Sequence, residues 1–152
     1  MSILQHPDQW TALDPKSMYS LLAGFPDQVR KNQDAGRSQS AVNDIADIRT
    51  IIVTGLGGSA IGGDLARAIA GPELKIPLLV NRDYELPRFA DAHSLVFACS
   101  YSGNTEETIS AYRQARAACC PVICITSGGR LAEMAKTDGV PVLSLPSGLP
   151  PR

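Results

Sequence analysis

From Thr50 onward, short apolar segments alternate with segments of helical periodicity, and this alternation constrains the fold more than any other feature. The first apolar segment, TIIVTG, is rich in β-branched residues, as expected of a strand buried on both faces of a sheet. Four more strands are predicted, with the sequences IPLLV, SLVFAC, VICIT and VPVLSL. Strands that alternate with helices need right-handed crossovers and form a parallel sheet covered by helices. The pattern therefore predicts an α/β fold, a three-layer αβα sandwich with a five-stranded parallel sheet.

The helices between these strands have apolar stripes that we expect to face the sheet. The stripe of the first helix consists of Ile61, Leu65, Ala68 and Ile69. The stripe of the second consists of Ile109, Tyr112, Ala115 and Cys119. The third helix, RLAEMAK, is ended by Gly139.

The residues before the first strand are also predicted to be helical. Asp14 followed by Pro15 is a typical helix start, and Pro26 should end that helix and begin another. The spacing i, i+3, i+4, i+7 predicts one buried face, which consists of Met18, Leu21, Leu22 and Phe25. We expect residues 1–49 to form a helical segment that packs on a domain of residues 50–152.

Three of the predicted strands lead into helices through turns of small polar residues, TGLGGSA, CSYSGNT and ITSGGRL. The carboxyl ends of parallel strands meet at one edge of the sheet, where open α/β proteins bind ligands. Backbone N–H groups, hydroxyls and helix N-termini together form an anion site, and phosphate is the anion that best fits it. Arg130 opens a helix, where the helix dipole disfavours a cation, so we expect it to be a counter-charge for the ligand.

Turn formation and helix capping are the competing explanation for these residues. Glycines permit a tight turn between a strand and a helix without any ligand. Asn104 and Glu107 have the spacing of a capping box, in which Asn104 is the N-cap and Glu107 returns to it. Capping would explain those two residues, but it leaves several hydroxyls of SYSGNTEET without a role.

Other motifs that a glycine-rich turn can indicate fit less well. GLGGSA satisfies the dinucleotide pattern G-x-G-x-x-A, but Asp83 comes too late in the chain to be the acidic residue that binds the ribose. A P-loop needs a Lys-Ser/Thr pair that GGSAIGGD lacks. Ser59 is not flanked as in a hydrolase G-x-S-x-G turn. A dehydrogenase that binds NAD is therefore a third and weaker hypothesis.

Composition argues against several classes of partner. A net charge of −1 over 152 residues gives no reason to expect nucleic acid or an anionic membrane. No apolar segment approaches the length of a membrane span, and the N-terminus lacks signal-peptide features, so we expect a cytoplasmic protein. The four cysteines lack the spacing of a zinc site, and Cys99 and Cys124 should be buried thiols. We expect neither a metal nor a cofactor.

The combination of GLGGSAIGGD with SYSGNTEET resembles the sugar isomerase (SIS) domain, and more narrowly the N-terminal half of bifunctional phosphoglucose/phosphomannose isomerases. ITSGGRL and LPSGLPPR agree, so the resemblance covers about residues 50–152. It implies a flavodoxin-like strand order and an aldose–ketose isomerase. The implied reaction interconverts glucose 6-phosphate or mannose 6-phosphate with fructose 6-phosphate through a cis-enediolate. It also implies a homodimer or association with a second SIS domain.

The resemblance assigns roles to single positions. It implies that Arg130 lies close to the reacting carbons and stabilises the negative enediolate. It implies that the sugar phosphate is held by neutral hydroxyl and backbone amide donors. The hydroxyl ligands are Ser59, Ser100, Ser102 and Thr105. The backbone amides are those of Gly57, Gly58, Gly103, Asn104 and Thr105.

The resemblance also implies that part of the catalytic apparatus lies elsewhere. Isomerisation needs a base between carbons 1 and 2 and an acid–base pair that opens the ring. In the family these are a glutamate, a histidine and a lysine of the second SIS domain, with the histidine from the neighbouring subunit. His93 precedes its strand, at the opposite edge, and Glu106 and Glu107 have the positions of cap residues.

We therefore expect this chain to be the first half of a two-SIS-domain protein, weakly active or inactive alone. The alternative is a non-catalytic SIS domain that senses a phosphosugar and regulates a partner. That alternative needs an attached DNA-binding segment, and the N-terminus shows no basic helix-turn-helix.

Overall fold

In the computed structural model of this chain, the described residues are 6, 10, 13–37, 45 and 47–148. They fall into two compact units, Met1–Ser40 and Ala41–Arg152. Among the described residues, no helix is both long enough and apolar enough to cross a lipid bilayer.

The first unit contains two helices, α1 (Met18–Ala23) and α2 (Phe25–Arg37). Asp14 caps α1 from outside, because its carboxylate accepts the N–H groups of Met18 and Tyr19 at 2.7 and 2.8 Å. The first helix ends and the second begins just before Pro26, as predicted.

The buried face predicted for this segment is wrong. Leu22 and Phe25 are exposed, and none of the six residues of α1 is buried. The predicted face needed one continuous helix, whereas α1 ends before Phe25, which begins α2.

The second unit contains a five-stranded sheet in the order β2-β1-β3-β4-β5, and every neighbouring pair is parallel. The strands are β1 (Thr50–Thr54), β2 (Leu78–Asn81), β3 (Ser94–Cys99), β4 (Val122–Thr126) and β5 (Val142–Ser144). All five predicted strands and the flavodoxin-like order are confirmed. Because β1, β3 and β4 are neighbours, the three polar turns that follow them emerge side by side.

Three helices connect the strands, namely α3 (Gly58–Ala70), α4 (Glu106–Ala117) and α5 (Gly129–Thr137). The face predicted for α4 is confirmed at its helical positions, which are the buried Ile109, Tyr112 and Ala115. The prediction that Cys119 shares this buried face is wrong. Cys119 lies beyond the end of α4, has a φ of 57° and is exposed.

The buried stripe predicted for α3 is also wrong. Ile61, Leu65 and Ile69 are 56%, 54% and 77% exposed, and Ala68 is exposed as well. The residues that α3 buries are Ala60 and Gly63.

Gly63 explains this orientation of α3. A Cβ added there would lie 2.8 Å from Cγ1 of Val53 and 3.2 Å from Cγ2 of Val80. A helix can approach a sheet this closely only where its smallest residues face the sheet, so the larger apolar residues of α3 turn outward.

The core between the sheet and the helices is apolar, with Tyr112 as its largest fully buried side chain. The Tyr112 hydroxyl donates to Oδ2 of Asp138 at 2.6 Å, so its polar end is satisfied. Cys99 and Cys124 are buried, as predicted. Burial raises the pKa of each of these thiols to about 12, which makes both of them poor nucleophiles.

Candidate functional site

Three loops meet at the edge of the sheet where β1, β3 and β4 end. The glycine loop (residues 55–59) joins β1 to α3, the serine loop (residues 100–105) joins β3 to α4, and the arginine loop (residues 127–130) joins β4 to α5. All nine site residues predicted from the sequence lie in these loops.

The glycine loop is held against the end of β3 and the serine loop. A Cβ added to Gly55 would lie 2.9 Å from the carbonyl oxygen of Cys99, so only glycine allows this approach. Gly57 is the N-cap of α3, with a φ of 56°, and Gly58 is the first residue of that helix. Ser59 is half-buried and its Oγ accepts the backbone N–H of Tyr101 at 3.3 Å.

The serine loop forms a network of internal hydrogen bonds. Ser100 is 1% exposed, and its Oγ lies 2.8 Å from Oγ1 of Thr105 and accepts the N–H of Gly103 at 3.1 Å. The Oγ of Ser102 accepts the N–H of Asn104 at 3.2 Å. Ser102 is exposed and Thr105 is half-buried, so their hydroxyls face the surface more than that of Ser100. The amides of Gly103 and Asn104 are engaged within the loop.

The capping box predicted for α4 is wrong. The helix begins at Glu106, and its N-cap is Thr105, which makes no side-chain capping bond. Asn104 turns instead toward the arginine loop, where its Oδ1 accepts the backbone N–H of Arg130 at 3.1 Å. Its Nδ2 donates to the carbonyl oxygen of Ser102 at 3.2 Å. Asn104 therefore caps α5, a helix that begins more than twenty residues later in the chain.

The serine and arginine loops contact each other through their backbones. The carbonyl oxygen of Tyr101 accepts the N–H and the Oγ hydroxyl of Ser127, at 3.1 and 2.6 Å. The carbonyl oxygen of Gly103 accepts the N–H of Leu131 at 2.9 Å. Gly103 has a φ of 69°, and a Cβ added there would overlap the carbonyl oxygen of Gly128. The two loops therefore form one continuous surface.

Arg130 is the second residue of α5 and is exposed. No ion pair found among the described residues includes its guanidinium. Arg82, which follows β2 at the same edge, pairs instead with Asp64 of α3. A guanidinium without a carboxylate partner, beside donors on neutral loops, suits an anionic ligand.

A fourth segment, residues 84–86, lies beside the start of α4 and was not among the predicted site residues. The Tyr84 hydroxyl donates to the Glu106 carboxylate at 3.4 Å, at the start of α4. Partial desolvation, together with the carboxylates of Glu107 and Glu106, raises the pKa of Tyr84. Gln114 holds this segment by donating to the carbonyl oxygen of Tyr84 at 2.7 Å and accepting the N–H of Leu86 at 2.9 Å. These contacts join segments that are more than twenty residues apart in the sequence, so no local spacing of residues could have predicted them.

The donor set at this edge is suited to an anion rather than to a metal. Within the described part of the chain, no three His, Cys, Asp or Glu side chains are grouped so that they could hold a metal ion. The site instead offers hydroxyls, helix N-termini and one arginine. Phosphate oxygens accept hydrogen bonds from such donors.

Comparison with known proteins identifies relatives of this chain. The chain is 48% identical to the bifunctional phosphoglucose/phosphomannose isomerase of Caldicellulosiruptor bescii over 135 residues. These residues make up 89% of this chain and 40% of that protein. This chain is a homologue of that isomerase. The enzyme of the same name from Aquifex aeolicus is 36% identical over 138 residues, which cover 90% of this chain and 41% of that protein. The chain thus spans about 40% of the length of these relatives.

The fold is shared with solved structures. The crystal structure of a Bacillus subtilis protein named as a phosphosugar isomerase superimposes with a TM-score of 0.58 and 28% identity, over 66% of this chain and 32% of that one. No protein-family model matches the chain. The resemblance to SIS-domain isomerases is confirmed by the relatives and by the fold.

We predict that a side chain at position 103 separates the serine and arginine loops. Gly103→Ala should lower the free energy of unfolding by roughly 3 kcal/mol or more. The new Cβ would overlap backbone atoms of Gly128, and the alanine would have to adopt a positive φ. Gly139→Ala is the matched control, since Gly139 has a φ of 67° and open space around it. It should cost only about 1 kcal/mol.

Urea unfolding of both variants measures this difference directly. Equal losses of stability would show that the contact between positions 103 and 128 is not tight, and would contradict the joined surface described above.

Proposed function

We propose that the carboxyl edge of the sheet binds the phosphate of a sugar phosphate. We further propose that residues 50–152 are the SIS domain of an aldose–ketose isomerase, preceded by the helical segment of residues 1–49. The reaction would interconvert glucose 6-phosphate or mannose 6-phosphate with fructose 6-phosphate through a cis-enediolate. The observation that carries the proposal is the meeting of three glycine- and hydroxyl-rich loops at one edge, in a chain 48% identical to a phosphoglucose/phosphomannose isomerase.

The hydroxyl groups of Ser59, Ser102 and Thr105 would bind the phosphate. Ser102 is exposed and Ser59 and Thr105 are half-buried, whereas Ser100 is buried and its Oγ lies 2.8 Å from Oγ1 of Thr105. A phosphate dianion accepts many hydrogen bonds, and neutral donors bind it without the cost of burying a lysine.

Backbone amides would complete the phosphate site. Gly57 and Gly58 stand at the N-terminus of α3, and Thr105 is the N-cap of α4, so the positive ends of two helix dipoles favour the anion there. The amides of Gly103 and Asn104 would exchange their bonds to Ser100 and Ser102 for bonds to the phosphate.

Arg130 would act on the carbon skeleton of the sugar. Removal of a proton from carbon 2 places negative charge on the enediolate oxygens. A guanidinium that is not neutralised by a carboxylate can stabilise that charge, as the donors of an oxyanion hole do.

The base and the ring-opening residues would come from outside the described residues. His93 precedes β3 at the opposite edge, where its Nδ1 lies 3.0 Å from the carbonyl oxygen of Asp47. Glu106 and Glu107 occupy the first turn of α4, and Glu106 contacts Tyr84. A second SIS domain, in the same protein or in a second subunit of a homodimer, would supply these groups.

The cytoplasm is the proposed location of this activity. All four cysteines are free thiols, which is the state that a reducing compartment maintains.

Removal of the two surface hydroxyls of the serine loop tests the phosphate site. The double variant Ser102→Ala/Thr105→Ala should bind fructose 6-phosphate at least about tenfold more weakly, because a hydrogen bond to a charged group is worth roughly 1.5–3 kcal/mol. Isothermal titration calorimetry measures the affinity. The control Ser20→Ala/Thr137→Ala removes the same two chemical groups from exposed positions outside the three loops and should bind normally. Unchanged affinity in the first variant would contradict the assignment.

Turnover by the isolated 152-residue chain tests the proposed origin of the base. We expect little or no conversion of glucose 6-phosphate to fructose 6-phosphate, because proton transfer between carbons 1 and 2 requires a positioned base. The full-length Caldicellulosiruptor bescii relative, assayed in parallel, provides the reference rate. Comparable rates would place the base within this chain. Binding without turnover after a second SIS domain has been supplied would favour a phosphosugar sensor.

A further inference from the structure

The first turn of α5 lacks a capping group from its own segment. Its N-cap is Gly128, which has no side chain, and the first helical residue is Gly129, with a φ of 69°. Two consecutive glycines before Arg130 give the backbone wide conformational freedom. Something else must hold Arg130 in one place if its guanidinium is to meet a ligand.

Two contacts from the serine loop provide that constraint. The carbonyl oxygen of Gly103 accepts the N–H of Leu131 at 2.9 Å, and the side chain of Asn104 contacts Arg130 itself. The Oδ1 of Asn104 accepts the backbone N–H of Arg130 at 3.1 Å, across 26 residues of sequence. Its Nδ2 donates to the carbonyl oxygen of Ser102 at 3.2 Å, so both ends of the carboxamide are used. The Asn104 side chain thus connects the backbone of Ser102, a proposed phosphate ligand, to the backbone of Arg130, the proposed counter-charge.

Asparagine is suited to this position because the contact needs an acceptor and a donor on one short side chain. A Cβ added to Gly129 would lie 3.1 Å from both terminal atoms of the Asn104 carboxamide. The carboxamide therefore lies directly against Gly129 of the arginine loop, although Asn104 as a whole is exposed.

We infer that Asn104 is a positioning residue for Arg130, because its carboxamide fixes the first turn of α5 against the serine loop and so sets where the guanidinium lies relative to a bound phosphate. This inference rests on the proposed function, in which Arg130 contacts the sugar. It gives the Asn104 side chain a role distinct from phosphate binding, which would involve the backbone amide of the same residue.

A double-mutant cycle tests this inference with the full chain. The four proteins are the unsubstituted chain, Asn104→Ala, Arg130→Ala and the double variant. Each is titrated with fructose 6-phosphate and with inorganic phosphate, and urea unfolding confirms that each is folded. Inorganic phosphate reports on the phosphate donors alone, whereas fructose 6-phosphate also reports on contacts with the sugar.

We expect Asn104→Ala to weaken fructose 6-phosphate binding by roughly 3- to 10-fold, the effect of losing one well-placed hydrogen bond. Binding of inorganic phosphate should stay within about twofold, the usual limit for independent sites. In the Arg130→Ala background, Asn104→Ala should cause no further loss. The backbone amide of Arg130 should exchange its hydrogen faster in Asn104→Ala, measured by NMR.

Arg82 provides a matched control, because it is an arginine at the same edge of the sheet that pairs with Asp64 rather than with the serine loop. The cycle of Asn104→Ala with Arg82→Ala should be additive. Coupling with Arg130 but not with Arg82 is a result that a general loosening of the loops would not produce.

Two results would overturn the inference while leaving the proposed function intact. An equal loss of inorganic phosphate binding in Asn104→Ala would make its side chain a phosphate ligand. A loss of fructose 6-phosphate binding that persists in the Arg130→Ala background would make it a general support of the loop. If the folded, unsubstituted chain binds no fructose 6-phosphate, the proposed function fails, and this inference fails with it.

Discussion

The close contact between the serine loop and the arginine loop is the constraint on which the candidate site depends. The loops can touch because Gly103 has no side chain at the point where it meets the carbonyl oxygen of Gly128. Hydrogen bonds from Leu131 to Gly103 and from Arg130 to Asn104 then join two strand ends into one surface. In the proposed function, this continuous surface lets the phosphate donors and the arginine contact one ligand.

The sheet makes that contact possible. The order β2-β1-β3-β4-β5 places the strands with polar turns, β1, β3 and β4, next to one another. Tight packing keeps them in place, since Gly55 approaches the end of β3 and Gly63 lets α3 lie directly on Val53. Small residues thus set the positions of the three loops and bring their hydroxyls to one edge of the sheet.

Features that depend on neighbouring residues could be predicted from the sequence, and features that depend on distant contacts could not. The five strands follow from short β-branched runs, and their carboxyl edge follows from parallel pairing. The outward-facing Ile61, Leu65 and Ile69 could not be predicted, because Gly63 packs against strands that lie apart in sequence. Asn104 looked like a cap for its own helix, since the spacing to Glu107 gives no sign that its partner is 26 residues away.

A crystal structure of the chain with fructose 6-phosphate tests the central claim most directly. The account predicts that the phosphate lies at the carboxyl edge of the sheet, with its oxygens about 3 Å from the hydroxyls of Ser102 and Thr105. It also predicts that the guanidinium of Arg130 faces the carbon skeleton. A phosphate bound away from these loops, with Ser102 and Thr105 making no contact with the ligand, would contradict the account.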